Sequence, residues 1–161
     1  MGLYATDEVR LSELLKTKCI DLDLKGKDKP RIIAELAELL VKSGKAKNKK
    51  ALTDRLIERE NLGSTAIGNG VAIPHAKIEA VKEPTLAFGR SSEGVDFNSL
   101  DGEKTYIFFM LVSAKEDVGA HLKILAKISH LIKDKFTVGR FRKAKNKEEV
   151  LKIISDIEKH L

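Results

Sequence analysis

The residues with the most chemical potential in this 161-residue sequence lie between Gly63 and Ala76. The segment reads Gly63-Ser-Thr-Ala-Ile-Gly-Asn-Gly-Val-Ala-Ile-Pro-His-Ala76, and the three glycines in its first eight residues break regular structure. Val71 to Ile73 can then form a short buried strand, which sets His75 at a strand tip just behind a glycine-rich loop. Backbone N–H groups at Gly68 and Gly70, unhindered by side chains, can point toward an anion beside the imidazole. Ser64, Thr65 and Asn69 add short donors. A histidine in a glycine-rich connection can equally be a turn residue with its ring nitrogens satisfied, and spacing alone leaves both readings open.

The elements around this segment follow from hydrophobic periodicity. Ile20-Asp-Leu22-Asp-Leu24 alternates as a short strand does, and Asp28 with Pro30 then signals a helix start. Ile32, Ile33, Leu36, Leu39 and Leu40 recur at helical spacing up to a stop at Gly44. A second helix is expected from Asn48 to about Glu60, carrying Leu52 and Leu56. Thr85 to Ser91 and Tyr106 to Ser113 read as strands, the second so continuously apolar that both its faces must be covered by helices. Val118 to Lys133 and Asn146 to Leu161 are helical, the last opened by a capping box of Asn146 with Glu149. The alternation gives an α/β fold: a three-layer α/β/α single domain over residues 1–161, its mixed central sheet flanked by helices.

On the helix from Val118, position 121 shares a face with Leu125, Ile128 and Ile132, so His121 points inward from the first turn, where a helix N-terminus attracts anions. A satisfied core histidine would occupy the same place. His130 falls on the opposite, polar face with Lys123, Lys127 and Asp134, and His160, near the terminus, carries no signal.

Composition narrows the function classes. Hydrophobic residues at 42% and charged residues at 34% describe a globular protein, and no apolar run is long enough to span a membrane. The first residues, MGLYATDEVRLSELL, show no leader pattern, and the single Cys19 excludes a disulfide framework or cysteine-rich zinc cluster; both fit the cytoplasm. A formal charge of +6 raises the question of nucleic acid. The excess sits in two basic runs, Lys42 to Lys50 and Arg140 to Lys147, placed where connections between helices are expected and joined to no nucleic-acid-binding pattern. Neither His75 nor His121 has HxH, HExxH or paired-carboxylate company, so metal hydrolysis is disfavoured and neither metal nor cofactor is expected.

The segment Gly68-Asn-Gly-Val-Ala-Ile-Pro-His-Ala76, with Arg59-Glu-Asn-Leu-Gly-Ser-Thr65 upstream and His121-Leu-Lys-Ile-Leu125 downstream, resembles the enzyme IIA family of the phosphoenolpyruvate-dependent sugar phosphotransferase system, of the fructose, mannitol and nitrogen-regulatory type. The likeness extends over residues 10–160 in element order. It implies that His75 is phosphorylated by the small carrier HPr and passes the group to a IIB cysteine, and that His121 is the second active-site histidine. Neutral imidazole is a good nucleophile near pH 7, and its phosphoramidate keeps a high transfer potential without a metal. Transfer then needs donors and positive charge around three phosphoryl oxygens. Arg59, at the end of the helix entering the loop, can supply a bidentate fork, although without the resemblance it would read as a surface arginine paired with Glu58 or Glu60.

Transport versions of the family are often fused to IIB or membrane IIC domains, whereas regulatory versions stand alone and bind partners such as transporters or kinases according to phosphorylation state. This sequence has no room for a IIB domain, and Cys19 lacks a IIB-like Cys-Pro context, so an acceptor cysteine is expected on another chain. Because free-standing transport subunits also exist, sugar uptake and nitrogen regulation both stay open.

Overall fold

The computed structural model describes residues 9–79 and 81–160. Residues 1–8 of the stretch read for a leader, and Leu161 of the expected last helix, lie outside the described residues. The elements run α1 (Leu11–Leu14), β1 (Leu15–Asp21), α2 (Lys29–Lys42), α3 (Lys49–Asn61), β2 (Ala66–Gly68), β3 (Val71–Ala72), β4 (His75–Ile78), β5 (Thr85–Val95), β6 (Thr105–Ala114), α4 (Val118–Leu131), α5 (Lys135–Lys143) and α6 (Lys147–Glu158).

These strands form a mixed sheet in the order β1-β5-β6-β3-β2, with β4 also paired to β6. β5 and β6 are antiparallel, whereas β1 runs parallel to β5, and β3 and β4 both run parallel to β6. β6 is buried along nearly its whole length, as its apolar run requires. Its two faces are covered by different helices. Phe88 and Phe109 pack with Phe141 of α5, while a side chain at the next position, Gly89, would meet Leu24 and Leu36 of α2. Successive strand residues point to opposite faces, so α2 with its neighbour α3 covers one side, and α4, α5 and α6 the other. The expected three-layer α/β/α architecture is present.

Caps set the helix starts. Asp28 accepts from the Arg31 N–H, with Pro30 in the first turn, and Asn48 accepts from Ala51. Asn146 accepts from Glu149 as expected, but the Glu149 carboxylate reaches back to the Lys145 N–H, one residue before the cap.

Several elements differ from the sequence reading. The first strand spans Leu15–Asp21 rather than 20 to 24, because the Asp21 carboxylate accepts the Asp23 N–H and turns the chain. Beyond that turn Leu24 N–H still donates to Arg90 O, and Leu22 O accepts from the Arg90 side chain. Most of the second basic run is helix rather than connection. Thr137, Val138 and Phe141 are buried at helical spacing, and Asp134 caps the start, so α5 forms with Arg140, Arg142 and Lys143 in its last turn. In α4 the buried positions are Ala120, His121, Ile124, Ile128 and Leu131, while Leu125 is only half-buried.

Candidate active site

β3 and β4 lie end to end along β6, separated by Ile73-Pro74. Ala72 pairs with Phe108, and His75 with Leu111. Across the break Pro74 O accepts from Leu111 N–H, so the chain stays against β6 although proline has no N–H to give. His75 therefore begins a second strand rather than ending the first. β4 pairs only with β6 among the described strands, and Arg55 of α3 donates to Lys77 O on its open side at 3.2 Å.

The His75 ring is fixed by its own chain. Nδ1 lies 2.8 Å from Ile73 O. A carbonyl can only accept, so Nδ1 carries the proton and Nε2 keeps its lone pair. Burial lowers the pKa of His75, opposed by the Ile73 hydrogen bond and reinforced by the cations of Arg59 and Lys77. A neutral imidazole with a free Nε2 follows.

His121, buried in the first turn of α4, has its ring centroid 5.5 Å from that of His75, tilted by 53°. Its Nδ1 lies 2.8 Å from the hydroxyl of Ser113, which is fully buried in β6. Burial, followed by the neighbouring His75 and Lys77, lowers its pKa to about 4, so it is also neutral at pH 7. Arg59, in the last turn of α3, donates to Gly63 O at 2.9 Å. Neither adjacent glutamate pairs with it, since Glu58 binds Arg55 and Glu60 binds Lys29. Arg59, His75, Lys77 and His121 line one cavity of about 280 Å³, with Leu62 and Leu122 at its rim, 83% and 60% exposed. This constellation offers an anionic group a nucleophilic nitrogen, a second imidazole and a guanidinium that has no carboxylate partner among the described residues. Among the described residues no cluster of three or more His, Cys, Asp or Glu is placed to hold a metal ion.

The other sequence candidates have different positions. The Ser64 hydroxyl donates to Phe97 O at 2.7 Å and accepts from Ala66 N–H. Thr65 gives both its N–H and its hydroxyl to the carboxylate of Glu60, at 2.8 and 2.7 Å. Asn69 and Gly70 are the two-residue loop of a β2–β3 hairpin, with φ of 57° and 77°. Positive φ at both positions is what type I′ loops demand, and Asn-Gly is their favoured pair. The loop meets β6 at Ile107, four residues from the Leu111 partner of His75, or about 13 Å along a strand. Asn69 instead lines a separate hollow of about 570 Å³ with Tyr106 and Arg142. The Asn-Gly dipeptide was the available signal that this glycine-rich stretch turns away from His75.

Glu60, which the sequence does not single out, is buried behind this site. Its buried carboxylate binds Lys29 at 2.9 Å as well as Thr65, and Thr65 O accepts from Ile73 N–H. This chain of bonds ties the end of α3 to the residue whose carbonyl orients His75. Nothing in the sequence marks Glu60 as buried, because Lys29 is 31 residues away.

Residues 13–157 match the family model of the phosphoenolpyruvate-dependent sugar phosphotransferase system, EIIA 2. The chain belongs to this family. It is 34% identical over 151 residues to the fructose-specific EIIABC component of Bacillus subtilis, covering 94% of the chain but 24% of that longer relative. With the fructose-specific EIIA component of Haloferax volcanii it shares 31% identity over 94% of its own length and 98% of the relative's. The crystal structure of nitrogen regulatory protein IIA-Ntr from Neisseria meningitidis superposes with a TM-score of 0.84 at 33% identity, covering 89% of this chain and 98% of that one. EIIA 2 membership and the fructose-specific relatives support a phosphocarrier role. Among the described residues no helix is long and apolar enough to cross a membrane.

Proposed function

We propose that this EIIA protein carries a phosphoryl group on Nε2 of His75, received from an HPr-type phosphocarrier and passed to a IIB cysteine for uptake of a fructose- or mannitol-type sugar. The observation that carries the reading is the 2.8 Å hydrogen bond from His75 Nδ1 to Ile73 O, which leaves Nε2 as the only nucleophilic nitrogen of the ring. The Nε2 lone pair attacks phosphorus as the donor's N–P bond breaks and its electron pair returns to the donor imidazole. The Nδ1 proton stays against the carbonyl. In the onward step a cysteine thiolate attacks, the Nε2–P bond breaks, and His75 leaves as neutral imidazole. Arg59 compensates the phosphoryl charge, and His121 assists without accepting the group. Leu62 and Leu122 give the rim exposed apolar surface suited to protein partners rather than to a free small-molecule donor.

A second reading is favoured by the likeness to the Neisseria nitrogen regulatory protein. In it the same phosphorylation on His75 controls binding to regulated transporters or kinases instead of feeding a IIB protein.

Incubating the protein with enzyme I, HPr and labelled phosphoenolpyruvate tests the common core of both readings. His75→Ala should take no label, and the wild-type linkage should be acid-labile and base-stable. Label in His75→Ala equal to wild type would remove the assignment. Offering candidate IIB proteins to the labelled protein then separates onward transfer from a regulatory endpoint.

A further inference from the structure

Ser113 puts a hydroxyl into the buried run of β6, where a polar group is costly unless bonded. Its Oγ has one hydrogen-bond partner among the described residues, Nδ1 of His121 at 2.8 Å. Two proton arrangements fit that distance. If Nδ1–H donated, the serine proton would be left in the core without an acceptor, and His121 would turn a lone pair toward any anion in the cavity. If the hydroxyl donates, both groups are satisfied and the ring proton sits on Nε2.

We propose that Ser113 is a positioning residue: by donating its hydroxyl to Nδ1, it holds His121 as the Nε2–H tautomer, a neutral hydrogen-bond donor toward an anionic oxygen in the His75 cavity. The statement about the tautomer stands on the Ser113 geometry alone, whereas its effect on transfer rests on His75 being the phosphoryl acceptor. The two histidines then carry opposite tautomers for one physical reason. A carbonyl, which can only accept, puts the proton of His75 on Nδ1. A hydroxyl, which can donate, drives the proton of His121 to Nε2. One ring becomes a nucleophile and the other a donor.

The test is long-range ¹H–¹⁵N spectroscopy of the full-length protein at pH 7.5, combined with transfer kinetics from phospho-HPr. The wild type should show His121 with Nδ1 bare and Nε2 protonated, and Ser113→Ala should shift it toward a mixture. Ser113→Ala should also slow transfer by roughly tenfold, the rate equivalent of one ordinary hydrogen bond lost. In a His121→Ala background the same substitution should slow it no further. A wild-type spectrum with the proton on Nδ1 overturns the proposal, and this reading does not depend on any variant folding. Equal slowing by Ser113→Ala with and without His121 also overturns it. If the wild type takes no label at all, the His75 assignment fails while the spectrum still decides Ser113.

Discussion

The carboxylate of Glu60 accepts both the N–H and the hydroxyl of Thr65 while also pairing with Lys29. The Glu60 side chain is 1% exposed and that of Lys29 17%. Removing the carboxylate would strand a largely buried ammonium and two donors, so Glu60→Ala should cost about 3–5 kcal/mol of stability. Because Thr65 also holds Ile73, whose carbonyl orients His75, phosphoryl transfer per folded molecule should fall as well. Urea unfolding and labelling on one preparation check both. Full transfer activity in a destabilised protein would confine Glu60 to a structural role.

Among the described residues the Arg59 side chain makes one hydrogen bond, to Gly63 O, and no ion pair with either neighbouring glutamate. Its loss should therefore cost little stability. Arg59→Ala should slow transfer about a hundredfold, the scale of one electrostatic donor lost from a transition state. Arg59→Lys should fall between, since it keeps the charge without the planar fork. Rates indistinguishable across the three proteins would take Arg59 out of the chemistry.

His121 makes stability depend on pH. Its pKa is lowered to about 4 in the folded protein, chiefly by burial, against 6.5 ordinarily. Between those values the unfolded chain binds more protons than the folded one, so stability rises with pH. The contribution is complete above about pH 6.5 and drains as pH falls toward 4, reaching at most about 3 kcal/mol. His121→Gln should flatten this slope in denaturant melts at pH 7, 5.5 and 4.5, and should still accept label on His75, though slowly. An unchanged slope would place the proton uptake elsewhere.

Gly89 lies where β5 passes beneath α2. A Cβ there would stand 2.6 Å from Leu24 Cδ1 and 2.8 Å from Leu36 Cδ2. Gly89→Ala should thus destabilise by about 1–3 kcal/mol through overpacking, with transfer per folded molecule unaffected. If the clash is the cause, Gly89→Ala combined with Leu24→Ala should cost less than the sum of the two alone. Strict additivity in thermal melts would reject that cause.

The sequence by itself determined the layered α/β fold, since a buried run such as Tyr106 to Ser113 has to be covered on both faces, and helical spacing was enough to turn His121 inward. It also marked His75 through the residues around it. Tertiary structure alone decided which groups meet. α5 looked like a basic connection because its apolar contacts, Phe141 against Phe88 and Phe109, come from strands remote in sequence. Asn69, six residues before His75, is carried away from it by the Asn-Gly hairpin, while His121, 46 residues later, is brought within 5.5 Å. The proton positions were equally hidden, because the tautomer of an imidazole is set by the partner across its ring nitrogen. For His75 that partner is the Ile73 carbonyl and for His121 the Ser113 hydroxyl, and only the folded chain puts either in place.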